Sequence, residues 1–156
     1  MKKYLSGPMR VAAKLHHAVF LLQKQADALL LQHHAISFMQ AMILNIIKHH
    51  PDTTQHYIGQ CTRFTPGAVS RQIEVLVEKG YVTRTTQTDN RRAQSIKLTQ
   101  NGAELVDRAF TSLNDQLLHS FSNMNESEQQ QLEHAVDRLI GTIDPEYYQF
   151  ENEKNC

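Results

Sequence analysis

Residues 54–105 read TQHYIGQCTRFTPGAVSRQIEVLVEKGYVTRTTQTDNRRAQSIKLTQNGAEL, and their pattern decides the fold. Thr54 caps a short helix carrying Ile58 and Cys61. Thr65 caps a second, with Pro66 in the first turn, where a missing N–H is harmless. That second helix places Val69, Ile73, Leu76 and Val77 on one face and stops at Gly80. The β-branched runs around 81–86 and 93–98 predict two strands. Between them lies a polar tip holding Asp89, Asn90, Arg91 and Arg92.

Two short helices followed by an arginine-tipped hairpin predict a winged helix-turn-helix, whose second helix enters the major groove of double-stranded DNA. Off the apolar face of that helix lie Gly67, Ala68, Ser70, Arg71, Gln72, Glu74 and Lys79. Thr65, Gly67 and Ala68 keep its N-terminus slim, so the free amides and positive dipole end approach a phosphate. Ser70, Arg71 and Gln72 then project toward base edges. Arginine pairs best with guanine and glutamine with adenine, each bidentate pair discriminating by about 1–3 kcal/mol. The plain alternative is an amphipathic surface helix, and the hairpin decides against it. A purely structural turn favours Asn-Gly or Asp-Gly, and TDNRR is neither. Exposed ion pairs contribute only about 0–1 kcal/mol, so two arginines at a tip have little folding value. They suit a probe for the negative potential of a narrow minor groove. Asp89 holds Arg91 extended, Arg92 supports it, and Arg84 on the first strand is placed for a phosphate.

Outward from this core the chain is helical. Apolar positions from Val11 to Leu29 recur at helical spacing over about 9–31. Ser37 with Gln40 forms a capping-box pattern, and the helix after it, about 37–49, is apolar nearly all round, which predicts a buried central helix. Thr99 caps a long helix with the stripe Val106, Ala109, Phe110, Leu113, Leu117 and Phe121. Asn125 with Glu128 caps the last, with Leu132, Ala135, Val136, Leu139 and Ile140 inward and Gly141 closing it. The fold class is mainly α with a small β-hairpin wing, as a single domain over 1–150, and an acidic, loosely ordered tail over 144–156.

The formal net charge is zero, yet the charges are segregated. Residues 1–62 hold six Lys/Arg against two acids, 63–100 seven against three, and 101–156 three against eleven. Attraction to phosphate follows local potential, so a basic head on an acidic remainder still binds nucleic acid. No apolar run approaches the roughly 18 residues of a membrane span. Lys14, His16 and His17 break any signal-peptide pattern. Two cysteines, Cys61 and Cys156, make no disulfide framework, which fits a reducing cytoplasm.

VSRQIEVLVEKGYVTR, followed by DNRRA and IKLTQNGAEL, resembles the multiple antibiotic resistance regulator (MarR) family of bacterial transcription factors. The resemblance extends to the first helix, the buried second helix and FSNMNESEQQQLEHAVDRLI, about 140 residues in all. Gly59 and Thr62 depart from the family's preferred Ala and Leu. The resemblance implies that Ser70, Arg71 and Gln72 lie in the major groove. It places Asp89 and Arg91 at the wing contact, with Arg92 and Arg84 in support. It also implies a homodimer with dimerisation helices at about 9–35 and 100–142 flanking a DNA-binding core at about 37–99. The wide apolar stripes of the terminal helices point the same way. Two such heads meet half-sites about one helical turn, ~34 Å, apart on a palindromic operator.

Family members respond to phenolic or lipophilic ligands, thiol oxidation or metals, and the sequence favours none. Candidate effector-pocket residues are His17, Phe20, Phe38, Met42 and Tyr57. Cys61 is the candidate redox residue, but its inward position beside Ile58 reads as packing, where cysteines are inert. The adjacent pairs 16–17, 33–34 and 49–50 among the histidines point about 100° apart on a helix, so no metal or cofactor is expected. No nucleophile–base pair, paired carboxylates or phosphate-cradling loop appears, which argues against an enzyme. The expected function is a sequence-specific regulator, a repressor released by a small effector. The alternative is an architectural or protein-interaction winged helix without a specific operator.

Overall fold

The computed structural model describes residues 6–51, 53–86 and 94–146. Among them run α1 (Gly7–His34), α2 (Phe38–His49), α3 (Gln55–Thr62), α4 (Pro66–Glu78), β1 (Val82–Thr86), β2 (Gln94–Leu98), α5 (Gln100–Ser120) and α6 (Glu126–Ile143). The mainly helical architecture with a β-ribbon is the one the sequence predicts. The strands pair antiparallel with Val82 opposite Leu98 and Arg84 opposite Ile96. The ribbon's polar tip, including Asp89, Arg91 and Arg92, lies outside the described residues.

Helix α2 is the centre. Its capping box is complete: Ser37 Oγ accepts from the Gln40 amide at 3.2 Å, and Gln40 Oε1 accepts from the Ser37 amide at 3.1 Å. Ala41, Ile43, Leu44, Ile46 and Ile47 are buried, and α1, α3, α4, α5 and β2 all pack around the helix. Such all-round apolarity is stable only inside a shell of other elements. The chain reaches α2 from α1 through a sharp elbow of 78°. Ala35 there adopts a left-handed φ of 55°, and Asp27 Oδ1 accepts from the Phe38 amide at 2.8 Å.

Helix α5 is seated on the base of the ribbon by a contact only glycine permits. A Cβ on Gly102 would lie 2.0 Å from the Tyr81 carbonyl oxygen. The same carbonyl accepts from the Thr99 amide at 3.0 Å. Thr99 Oγ1 accepts from the Gly102 amide at 3.0 Å and donates to the Gly80 carbonyl at 2.8 Å. Gly80 itself holds φ 72°, the left-handed stop expected after α4.

Three features depart from the sequence reading. Thr53 bridges Ile96, whose amide donates to the Thr53 carbonyl at 2.8 Å, so the ribbon is tied down at a point no local pattern marks. Helix α6 runs through Gly141 to Ile143, because one interior glycine costs only about 1 kcal/mol and no left-handed turn stops the helix there. Its apolar stripe, expected inward, is not buried among the described residues. No described residue of α6 is buried, and Leu132, Leu139 and Ile143 are exposed.

His34 joins α1 to α5 through Nε2, 3.0 Å from Ser112 Oγ. That hydroxyl donates to the Arg108 carbonyl at 3.1 Å and therefore accepts from His34. Burial lowers the His34 pKa, with His33 and Arg108 adding to the effect. The unfolded chain thus binds a proton more readily than the folded one. Stability is full above the ordinary histidine range near 6.5 and falls as pH drops toward the lowered value. Thermal melts should show Tm falling between about pH 7.5 and 5.5, with a shallower fall in His34→Gln; equal slopes would refute this. Separately, Gly102→Ala should destabilise by about 1–3 kcal/mol or more, read by denaturant midpoint. An unchanged midpoint would mean the Tyr81 contact gives way freely.

Candidate nucleic-acid interface

Helices α3 and α4 are joined through Arg63, itself left-handed at φ 56°, and Gln55 Nε2 donates to the Pro66 carbonyl at 3.1 Å. Thr54 and Thr65 cap as expected, accepting from the amides of Tyr57 at 3.2 Å and Ala68 at 3.3 Å. Val69, Ile73 and Leu76 are buried in the core. The opposite side of α4 therefore faces outward. Thr65, Gly67 and Arg71 are exposed, and Ala68 and Ser70 are half-buried beside them. The helix N-terminus presents its dipole on this surface with no acidic residue in its first turn.

Gln72 is the exception. The sequence reading sends it toward base edges, but its Oε1 accepts from Gln40 Nε2 at 2.9 Å. Three residues after Val69 and one before Ile73, it falls on the edge of the buried stripe. Glu74, read as outward but given no role, lies on the outer face as expected: Ser70 Oγ donates to its Oε1 at 3.2 Å. The four-residue spacing of Ser70 and Glu74 was the available signal.

Arg84 reaches from β1 to the same surface. Its guanidinium stands 4.0 Å from Glu74 Oε1. Among the described residues its Nη2 is buried without a hydrogen-bond partner. A buried donor left idle is costly, so an incoming anionic acceptor gains from it. Reading helix and ribbon are thus linked by opposite charges on one face. Asp89, Arg91 and Arg92 lie outside the described residues.

On the other side of α2 an apolar cavity of about 460 Å³ opens between α1, α2 and α5. Phe38 and Met42 line it, together with Leu22, Ala26, Phe110 and Leu113. His17, Phe20 and Tyr57 do not. The row facing the cavity along α1 is Val19, Leu22 and Ala26, and His17 and Phe20 point away from that row. Tyr57 lies on α3, where its hydroxyl meets the His50 ring, 3.2 Å from Nδ1, and burial raises its pKa. The α5 contribution to the cavity was hidden in the sequence, because a cavity wall and a packed core share one helical stripe.

Cys61 departs from the packed-thiol expectation. It is buried, as foreseen, but disulfide-bonded, which also overturns the expectation that the two cysteines form no disulfide and with it that argument for a reducing compartment. The chain's other cysteine, Cys156, lies outside the described residues. Arg63, just past α3, donates to Asp144 Oδ1 at 3.0 Å. Among the described residues no group of three His, Cys, Asp or Glu can hold a metal ion, and no single helix is long and apolar enough to cross a membrane.

The model of the MarR family matches residues 34–93, the span from the α1–α2 elbow to the residue before β2. An HTH-type transcriptional regulator of Mycobacterium tuberculosis is 25% identical over 140 residues, covering 90% of this chain and 97% of that protein. Among solved structures, the S. aureus MepR–DNA complex superposes with a TM-score of 0.77 at 19% identity, covering 89% of this chain and 100% of that one. The organohalide-sensing RdhR transcriptional regulator in its 2,4-dichlorophenol-bound form superposes with a TM-score of 0.82 at 16% identity, covering 90% and 83%.

Proposed function

We propose that the chain is a DNA-binding transcriptional regulator of the MarR family, whose model matches residues 34–93, and that it acts as a sequence-specific homodimeric repressor. It binds a palindromic operator in the cytoplasm and is released by a small effector. The observation that carries this reading is the outer face of α4, its N-terminus unobstructed and Arg71 exposed, beside a ribbon that brings Arg84 to the same surface. Thr65, Gly67 and Ala68 admit the backbone phosphate. Ser70 and Arg71 read base edges. Arg84 takes a second phosphate, exchanging its distant Glu74 partner for a closer anion. Asp89, Arg91 and Arg92 form the minor-groove probe. DNA in the MepR complex supports this use of the fold.

The dimer rests on α6. An 18-residue helix with no buried residue is not stable as an isolated appendage. Met9, Val19 and Phe20 of α1 and Leu117 and Leu118 of α5 are exposed as well. A second copy covers these surfaces symmetrically, so residues 9–35 and 100–142 serve as the dimerisation helices around the DNA-binding core at 37–99. The effector occupies the α1–α2–α5 cavity. Its apolar lining suits a phenolic or lipophilic molecule, in keeping with the dichlorophenol held by RdhR.

Selection of bound duplexes from a random pool should return a palindrome. Arg71→Ala should relax one position by about 1–3 kcal/mol, and Arg91→Ala should weaken all duplexes and lower the salt slope by about one. Unchanged affinity in both variants would refute specific recognition. In sedimentation the wild type should run as a dimer, and Leu139→Glu should shift it toward monomer and abolish the palindromic preference. A wild-type monomer at micromolar concentration would overturn the assembly.

A further inference from the structure

Gln40 is a glutamine at 8% exposure in an otherwise apolar helix, and both ends of its amide are committed. Its Oε1 accepts from the Ser37 amide at 3.1 Å, closing the α2 capping box. An oxygen there is obligatory, since the partner is a donor. The nitrogen must therefore face Gln72, which in turn must present its oxygen, at 2.9 Å. Bidentate recognition of adenine needs both the oxygen and the nitrogen of a glutamine. With its amide turned to Gln40 at the edge of the buried stripe, Gln72 does not present both atoms to a base.

A second bond holds α4 two turns further on. Lys79 Nζ donates to the Ala35 carbonyl at 2.6 Å, at the left-handed corner of the α1–α2 elbow. Gln72 and Lys79 thus tie α4 at two points to the elbow, while Val69, Ile73 and Leu76 fill the core beneath. Apolar packing tolerates small rotations of a helix about its axis. Two directional bonds seven residues apart do not.

We propose that Gln72 is a positioning residue, not a base-reading one. With Gln40 it sets the rotation of α4 and so decides that Ser70 and Arg71 face the groove. This rests on the regulator reading above and refines it. Phe38, two residues before Gln40, lines the apolar cavity, so the pair stands between that cavity and the reading helix.

The test compares wild type, Gln40→Met, Gln72→Met and the double variant by duplex selection and by affinity for the selected site. Each single variant should lower affinity for every duplex alike, by about tenfold, the size of one lost buried hydrogen bond. The selected bases should stay the same at every position. The double variant should lose no more than Gln40→Met alone, because replacing both partners orphans neither side chain and the Ser37 amide loses its acceptor equally in the two. The proposal fails if Gln72→Met loses its preference at one base position while Gln40→Met keeps it, if the losses add, or if affinity does not change. Should Gln40→Met not fold by circular dichroism, the bases selected by Gln72→Met decide alone. A wild type that enriches no duplex overturns the regulator reading itself, and the positioning role with it.

Discussion

Helix α2 is buried on nearly every side, and that constraint organises the rest of the molecule. Gln40, Ala41, Ile43, Leu44, Ile46 and Ile47 leave it almost no solvent face. An all-apolar helix is stable in water only if other elements enclose it. The chain supplies them by turning sharply at Ala35, laying α3 and α4 on one side and closing with α5 on the other. The reading helix and the apolar cavity therefore share one neighbour. Close-packed interiors transmit displacement rather than absorb it, so the seating of α2 influences the seating of α4.

The electrostatics of the interface are local. A chain with no net charge binds a polyanion only where its own charges are separated in space. Here basic residues gather in the first two-thirds of the sequence and acids in the last third. Glu74 is the acid placed on the binding face. It lies near Arg84 and accepts from Ser70, which organises two groups proposed to meet DNA. At 4.0 Å from a partly exposed guanidinium it is a weak partner, one that the proposed phosphate contact would displace.

At the opposite end of the molecule the described residues leave apolar surface exposed. Helix α6 contributes no buried residue, and the outer turns of α1 and α5 expose Met9, Phe20 and Leu118. In a chain of 156 residues the core around α2 already takes up the apolar surface of the middle elements. The terminal helices are left to find theirs elsewhere. The proposed symmetric partner would cover them and at the same time space two reading helices for a palindrome.

Most of the architecture was legible in the sequence, because caps, stops and periodicity act over a few residues. Thr54, Thr65, Thr99 and the Asn125–Glu128 box each begin a helix where their side chains can accept a backbone N–H, and Gly80 ends one at a left-handed turn. The outward residues of α4 followed from the same 3.6-residue period. What periodicity could not reveal were relations across elements. It took the folded chain to pair Gln72 with Gln40, to turn Phe20 and Tyr57 away from the cavity that Phe38 and Met42 line, to bond Cys61, and to bridge Thr53 to Ile96. Sequence alone determined the elements and which face of each is apolar, since both depend on near neighbours in the chain. Tertiary structure alone decided which polar groups meet and where space is left, because those depend on packing between segments far apart in sequence.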